Sequence, residues 1–402
     1  MRHYTHSPPG NQDGLWAGTC LVDGPLYATM PPPSAKLSGR IHISNKLPVL
    51  MQATAAKPAA TPSWRPWLLG GTIVIVIAVL LAPSLRTLSF NVWLGALATG
   101  LGYGFVALGV YITFRVLDFP DLTIDGALPL GASLAAVLIT TGVNPYITLP
   151  AAFAAGAVAG VATALIATRL RIHSLLASIL VTTGLLSVNL RVMGKSNTPL
   201  LNTDSVFTPL ADPFRALMTA LGGETLGRMS NNILAILVFG LLILLCKLAL
   251  DWFMRTEVGL ALRATGDNPQ MIRALGVNTD HMIVLGLAIS NGFVGMAGAM
   301  VAQYQGFADV NMGIGLIIAG LAAVILGETF VRPKHFATAT TAVILGMVVY
   351  RLAIAAALTI SIPLPGGGTL SIDAQDVKLA TALLVFGALW FTQAQKAARA
   401  RS

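Results

Sequence analysis

Gly194-Lys195-Ser196 is the nearest this chain comes to a phosphate-gripping loop, and it falls short. Such a loop reads G-x-x-x-x-G-K-[ST], and Asn189 stands where the first glycine is required. The triplet also closes an apolar run instead of following a strand, so the chain is not expected to hydrolyse ATP by itself. The sequence holds no H-E-x-x-H metal signature, no nucleophile elbow and no paired His/Cys cluster. Cys20 and Cys246 offer neither a disulfide framework nor metal-ligand spacing. No catalytic residue, metal or cofactor is expected.

The remaining chemistry-bearing groups are uncharged polar residues inside apolar runs. Asn189, Asn291, Gln303, Tyr304 and Gln305 are candidates for lining a route through the protein, with hydrogen bonding between helices as the competing role. The turn Gln305-Gly306-Phe307-Ala308-Asp309-Val310-Asn311-Met312-Gly313-Ile314-Gly315 adds Asp309 to that set. It reads either as a gate or as a tight turn in which Asp309 caps the next helix. Arg191, Lys247, Glu328 and Arg351 stand near the ends of apolar runs, where long side chains can snorkel to an interface. So little charge at mid-span argues against a proton-driven carrier.

The elements that must position these groups are membrane helices. Hydrophobic residues make up 55% of the chain, charged residues 10%, and the mean hydropathy is +0.76, which excludes a soluble globular class. The fold class expected is all-α, a polytopic membrane protein of about ten crossings. They are placed at 67–83, 90–114, 126–142, 146–168, 174–194, 230–250, 283–305, 309–327, 336–359 and 377–394, each long enough for a roughly 30 Å hydrocarbon core. The runs at 126–142, short and carrying Pro129, and at 174–194, with Thr182, Thr183, Asn189 and Arg191, invite a break or a re-entrant course. GxxxG spacings at Gly100–Gly104 and Gly156–Gly160 read as ordinary close packing of helices.

Between the sixth and seventh runs lies a polar insert, Thr256 to His281. Its pattern is a short helix with Leu260, Leu262 and Ala264, a Gly266-Asp267-Asn268-Pro269 break, and a second short helix with Met271, Ile272 and Leu275 that stops at Gly276. Lys and Arg gather on this side of the span pattern, including Lys247, Arg255, Arg263, Arg273 and both terminal tails, which assigns insert and termini to the cytoplasm. The net charge of +9 therefore reports topology, and nucleic acid is not an expected partner. The expected organisation is a disordered cytoplasmic tail at 1–64, a transmembrane domain at 65–395 with the loop 251–282, and a short cytoplasmic tail at 396–402. Met51 opens a second plausible N-terminus within the tail. The connections at 195–229, where a short surface helix is expected, and at 360–376 are candidate contact surfaces for a partner arriving from outside.

With these parts in hand, the chain resembles the permease subunits of bacterial ABC importers of the branched-chain amino-acid and ribose permease family. The resemblance rests on Gly259-Leu260-Ala261-Leu262-Arg263-Ala264-Thr265-Gly266-Asp267-Asn268-Pro269, on Ala274-Leu275-Gly276-Val277, and on Gly313-Ile314-Gly315 leading into Gly320–Glu328. Phe119-Pro120-Asp121-Leu122-Thr123-Ile124-Asp125-Gly126 departs from the branched-chain wording and resembles a tryptophan- or tyrosine-type subgroup. The resemblance implies paired permeases (a homodimer or a heterodimer), two cytoplasmic ABC ATPases, an external solute-binding protein and residence in the inner membrane bilayer.

It also implies that the insert couples the permease to the ATPases. Leu260, Met271, Ile272 and Leu275 would bury apolar surface there, Arg263, Asp267 and Arg273 would fix register, and Gly266, Asn268 and Gly276 would shape the knob. The solute expected is small and polar, most readily an amino acid. A sugar or nucleoside importer, and an ion-coupled secondary carrier that works alone, are the competing readings.

Overall fold

A computed structural model of the chain describes residues 90–201, 203–331, 333–358, 361–363, 369–371 and 386–387. The tails, the run at 67–83 and, save two residues, the run at 377–394 lie outside this set, as does Met51. The order of elements is α1 (Phe90–Val110), a π-helical turn (Tyr111–Val116), α2 (Ile124–Thr140), α3 (Pro145–Arg169), α4 (Ser174–Met193), β1 (Asn197–Pro199) and α5 (Thr208–Phe253). There follow α6 (Glu257–Asp267), α7 (Pro269–Ala274), α8 (Thr279–Gln305), β2 (Phe307–Asp309), α9 (Leu316–Val331), α10 (Phe336–Ala357), β3 (Ser361–Pro363) and β4 (Thr369–Ser371). Two short antiparallel pairs, β1 with β2 and β3 with β4, are the strands among the described residues.

The eight apolar runs expected between 90 and 359 all appear as helix, six of them long and apolar enough to cross a membrane and two, α2 and α9, shorter. Three differ from expectation. The helix expected at 309–327 begins only at Leu316, because Phe307–Asp309 pairs with β1 and the chain then turns through Gly313 and Gly315, the latter at φ 82°. The α4 run is continuous, its Thr183 hydroxyl returned to the Ile179 carbonyl within the helix. Finally, α5 is two helices joined at Gly222 and Gly223, of which Gly223 takes φ 70°, and its first part is the surface helix expected in the 195–229 connection.

Helices α1 and α8 form the centre, with α8 buried almost continuously from Ser290 to Gln303. Water-driven collapse cannot bring helices together inside lipid, so close backbone approach must. Added Cβ atoms at Gly156 and Gly160 on α3 would overlap the Asn291 and Leu287 carbonyls of α8, and those at Gly131 of α2 and Gly298 of α8 would strike each other's helices. Gly327 of α9 and Gly346 of α10 meet in the same way. Both GxxxG motifs are consumed inside this chain, since Gly100 and Gly104 pack on Val348 and Ile243. Leucines on the outer faces of α4 and α5, among them Leu176, Leu180, Leu241 and Leu248, stay exposed, as a lipid-facing surface requires.

Candidate functional site: a polar centre and a capped insert

Asp121 is the residue the span pattern hides. Hydropathy places it in a connection, yet its side chain is 0% exposed and accepts a hydrogen bond from Asn291 Nδ2 at 2.7 Å. Asn291 lies 12 residues beyond Thr279 and 14 before Gln305, about 18 and 21 Å along α8 at a rise of 1.5 Å per residue. The chain therefore turns back after the π-helical turn and carries residues 117–123 to mid-depth, where α2 starts. Asp118, at φ 51°, makes the reversal in a conformation that aspartate tolerates better than most residues.

Neighbouring helices hold this dip in place. The Thr123 N–H donates to Asp121 Oδ1 at 2.9 Å, and the Thr123 and Thr163 hydroxyls share a 2.6 Å bond to α3. The Thr182 hydroxyl of α4 donates to the Leu122 carbonyl, and Asn189 Nδ2 donates to that of Gly126. The carboxylate of Asp125 reaches across to α9 and accepts from the N–H groups of Gly315 at 3.1 Å and Ile317 at 3.0 Å. It is thus Asp125, not Asp309, that caps α9. A helix starting at mid-depth leaves backbone donors with no water to receive them, and a carboxylate from the facing element satisfies them.

The proposed route residues divide. Asn189 and Asn291 are wholly buried at this centre, each with Oδ1 unpartnered. Gln303 ties helices together, accepting from the Val206 N–H and donating to Thr148 Oγ1, while the Tyr304 hydroxyl donates to Asn232 Oδ1. Gln303 and Tyr304 also line an open cleft of about 280 Å³ with Phe207, Asp212 and Asn231, toward the β1–β2 end. Gln305 ends α8 and is not among the cleft's lining residues, and Asp309 sits in β2, bonded to the Asn311 N–H and to Asn197.

Charge at span ends also departs from expectation. Lys247 does not snorkel: it pairs with Asp251, which accepts from Thr340 Oγ1 as well, and both side chains are almost buried. Glu328 meets Arg115 at 2.8 Å. Arg351 turns inward over the ring of Tyr103 at 3.7 Å from its centroid. A mid-span ionisable group, which hydropathy did not reveal, is present as Asp121. The one readable trace of it was the Phe119–Gly126 wording, singled out for its resemblance and not for its depth.

The insert has the helices its residues imply. Thr256 accepts from the Gly259 N–H and opens α6, Asn268 accepts from the Met271 N–H and opens α7, and Gly276, at φ 86°, ends it. One face is committed inward: Leu262 is 0% exposed, and Gly266 lies so close to the Val116 carbonyl of the π-helical turn that a Cβ would overlap it. Gly266 therefore docks the insert on its own bundle. Ile272, expected on the outward face, is buried too, one helical step round from Met271. Arg263 stacks over Phe336, Arg273 donates to Thr279 Oγ1 and pairs with Asp280, and Asp267 is exposed. Leu260, Met271 and Leu275 point away from the bundle at 52%, 50% and 71% exposure.

Residues 92–391 match the family model described as branched-chain amino acid transport system / permease component. A tyrosine transport system permease protein of Clostridioides difficile (strain R20291) is 39% identical over 71% of this chain and 85% of its own length. An uncharacterized protein of Rickettsia prowazekii (strain Madrid E) is 32% identical over 59% of this chain and 77% of its own. A probable branched-chain amino acid transport permease protein, LivH, of Methanocaldococcus jannaschii is 26% identical over 55% and 69%.

Proposed function

This chain belongs to the branched-chain amino acid transport system permease family, and from that premise we propose how its parts divide the work of an ABC importer. It is a multi-pass membrane protein and a transport component. ATP is hydrolysed on separate ABC ATPase subunits that grip the insert from the cytoplasm, with both termini on that side. An external solute-binding protein delivers the solute to the β1–β2 end, and a second permease copy, identical or related, completes the pathway in the inner membrane. The tail at 1–64 and the segment 396–402 are cytoplasmic and outside the transmembrane domain.

The observation that carries this reading is the insert's two-faced construction. Leu262 and Ile272 anchor it on the bundle, while Leu260, Met271 and Leu275, on its two helices, are left half or more exposed and are available to a partner. Asp267 at the rim supplies charge for register. The solute proposed is an amino acid, by analogy with the tyrosine transport system permease that is 39% identical over 71% of this chain. Alternating access follows if ATPase closure pushes α6, which bears on Val116 through Gly266 and so on the dipping segment 117–123 that leads into Asp125 of α2.

The decisive experiment replaces Leu260, Met271 and Leu275 together by serine. The variant should insert and fold normally, because none of the three is buried, while ATPase subunits cease to co-purify and ATP-driven uptake falls at least about tenfold. Normal co-purification would remove the coupling role. Asp267→Ala with Arg273→Ala gives a weaker version of the same test, since Arg273 also serves Thr279 and Asp280.

A further inference from the structure

Arg351 is half-buried and has no counter-charge among the described residues. It stands on α10, 15 residues beyond Phe336 and 6 before Ala357, about 22 Å and 9 Å along the helix at its rise of 1.5 Å per residue. A snorkelling arginine would send its head outward past the end of the helix. This one folds onto the central helix α1, its guanidinium carbon 3.7 Å from the ring centroid of Tyr103, a side chain only 5% exposed. Its Nε is buried and has no hydrogen-bond partner, and the guanidinium makes no ion pair among the described residues. The cations Lys247 and Arg115 differ, since Asp251 and Glu328 neutralise them.

Stacking leaves a guanidinium its most selective edge. The ring lies against the guanidinium carbon, while the N–H donors lie in the guanidinium plane and are spaced to take two oxygens of a carboxylate together. Removing Nε from water with its donor unused is costly, and an arginine within a span that has no ion pair among the described residues marks a place where an anionic group binds. Arg351 as a whole is only half-buried, so the fork can be reached.

The geometry points to the Arg351 fork, braced on Tyr103, as the docking point for the α-carboxylate of an amino acid in transit. This assignment rests on the importer reading and deepens it: the chain holds an anionic group of its solute instead of leaving all recognition to a delivery protein. A phosphate of an anionic lipid has the same chemistry, and the test separates the two.

Phenylglyoxal, which adds to accessible unpaired guanidinium groups, is applied to the full-length chain with its co-purifying subunits in lipid nanodiscs, and Arg351 is read by peptide mass spectrometry. L-tyrosine and L-leucine are the probes, with tyramine and isoamylamine as counterparts that lack the carboxylate. Arg351 should be labelled, and the amino acids should slow labelling by about tenfold, the size of one good charge-assisted contact, while the amines do not. Tyr103→Phe, which keeps the ring, should preserve this protection, and Tyr103→Ala should weaken it.

No labelling of Arg351, no protection, or equal protection by the amines would each overturn the assignment. Protection that requires anionic lipid and ignores the amino acids would give the site to a headgroup. ATP-driven uptake by the wild-type complex in liposomes tests the importer reading separately. Its absence sinks that reading, whereas uptake without protection at Arg351 sinks only the carboxylate site. Among variants, Arg351→Gln should lower uptake about tenfold and Arg351→Lys less, with the ATPases still bound.

Discussion

Among the described residues the chain is interrupted twice near mid-depth, and the two interruptions are built from opposite materials. Residues 117–123, between the π-helical turn and α2, are fixed by side chains: Asp121 to Asn291, Thr123 to Thr163, and Thr182 to the Leu122 carbonyl. Residues 310–315, between β2 and α9, are fixed by backbone, with Gly313 pressed on the Asp125 carbonyl and the N–H groups of Gly315 and Ile317 donating to the Asp125 carboxylate. The first segment is braced by three helices, α3, α4 and α8. The second hangs by the Val310 N–H from the Ser196 carbonyl beside β1 and otherwise leans on Asp125, in the first turn of the helix that the first segment leads into. The pair therefore works as a lock and its bolt: the side-chain-rich segment sets the position, and the glycine-rich one adopts whatever position Asp125 dictates. A transporter that alternates needs one element that moves as a follower, and the second interruption is suited to it.

The largest effect expected from breaking this arrangement is that of Gly313→Val. Its side chain would meet the Asp125 carbonyl and the Pro129 ring, and neither can move without shifting α2. The variant should yield little monodisperse protein in mild detergent by size-exclusion chromatography. A normal elution profile would mean that the two interruptions are not pressed together. Gly315, with open space around its Cβ position but φ 82°, gives a milder contrast: Gly315→Ala pays strain alone, about 1 kcal/mol.

Next in size is Asp125→Ala, which strips two backbone donors of α9 of their acceptor. Loss of a charged cap in a site poor in water should cost about 2–3 kcal/mol, read as a fall in the apparent Tm of the detergent-solubilised protein. Asp125→Asn retains one acceptor oxygen and should recover about half of that loss. Equal loss in both variants would show that charge, and not hydrogen bonding, holds α9.

Asp121→Asn is expected to fall below Asp125→Ala. Asparagine is nearly isosteric and can still accept from one of the two donors, Asn291 Nδ2 or the Thr123 N–H. The expected cost is about 1–2 kcal/mol, because the dip keeps its ties through Thr163 and Thr182. A collapse as severe as that of Gly313→Val would mean that Asp121 alone carries the first interruption, which would then be no better braced than the second.

What was legible in the sequence follows the same division between side chain and backbone. The insert could be read residue by residue because its caps are local: Thr256, Asn268, Asn278 and Gly276 act on N–H and C=O groups within a turn of themselves. The depth of Asp121 and the late start of α9 could not. Both depend on partners 170 and 190 positions away, Asn291 for Asp121 and Gly315 for Asp125, and hydropathy averages over such contacts. Ile272 was misplaced for a smaller reason: a six-residue helix is too short for its pattern to say which of two adjacent apolar residues faces in.

Asp309→Ala should have the smallest effect, and it isolates why position within a turn matters more than residue type. Asp309 was read as the cap of the helix that follows, the role the structure gives to Asp125. In place it accepts from the Asn311 N–H and from Asn197 in a half-exposed pair of strands far apart in sequence. Water can replace both bonds there, so the loss should be about 0.5 kcal/mol, at the edge of what a Tm shift resolves. The strand pair it belongs to survives on backbone bonds, including Leu200 N–H to the Gly306 carbonyl and Val310 N–H to that of Ser196. If Asp309→Ala instead matched Asp125→Ala, the end of the second interruption nearer β2 would be bearing load, and α9 would be held from both sides instead of following the first interruption.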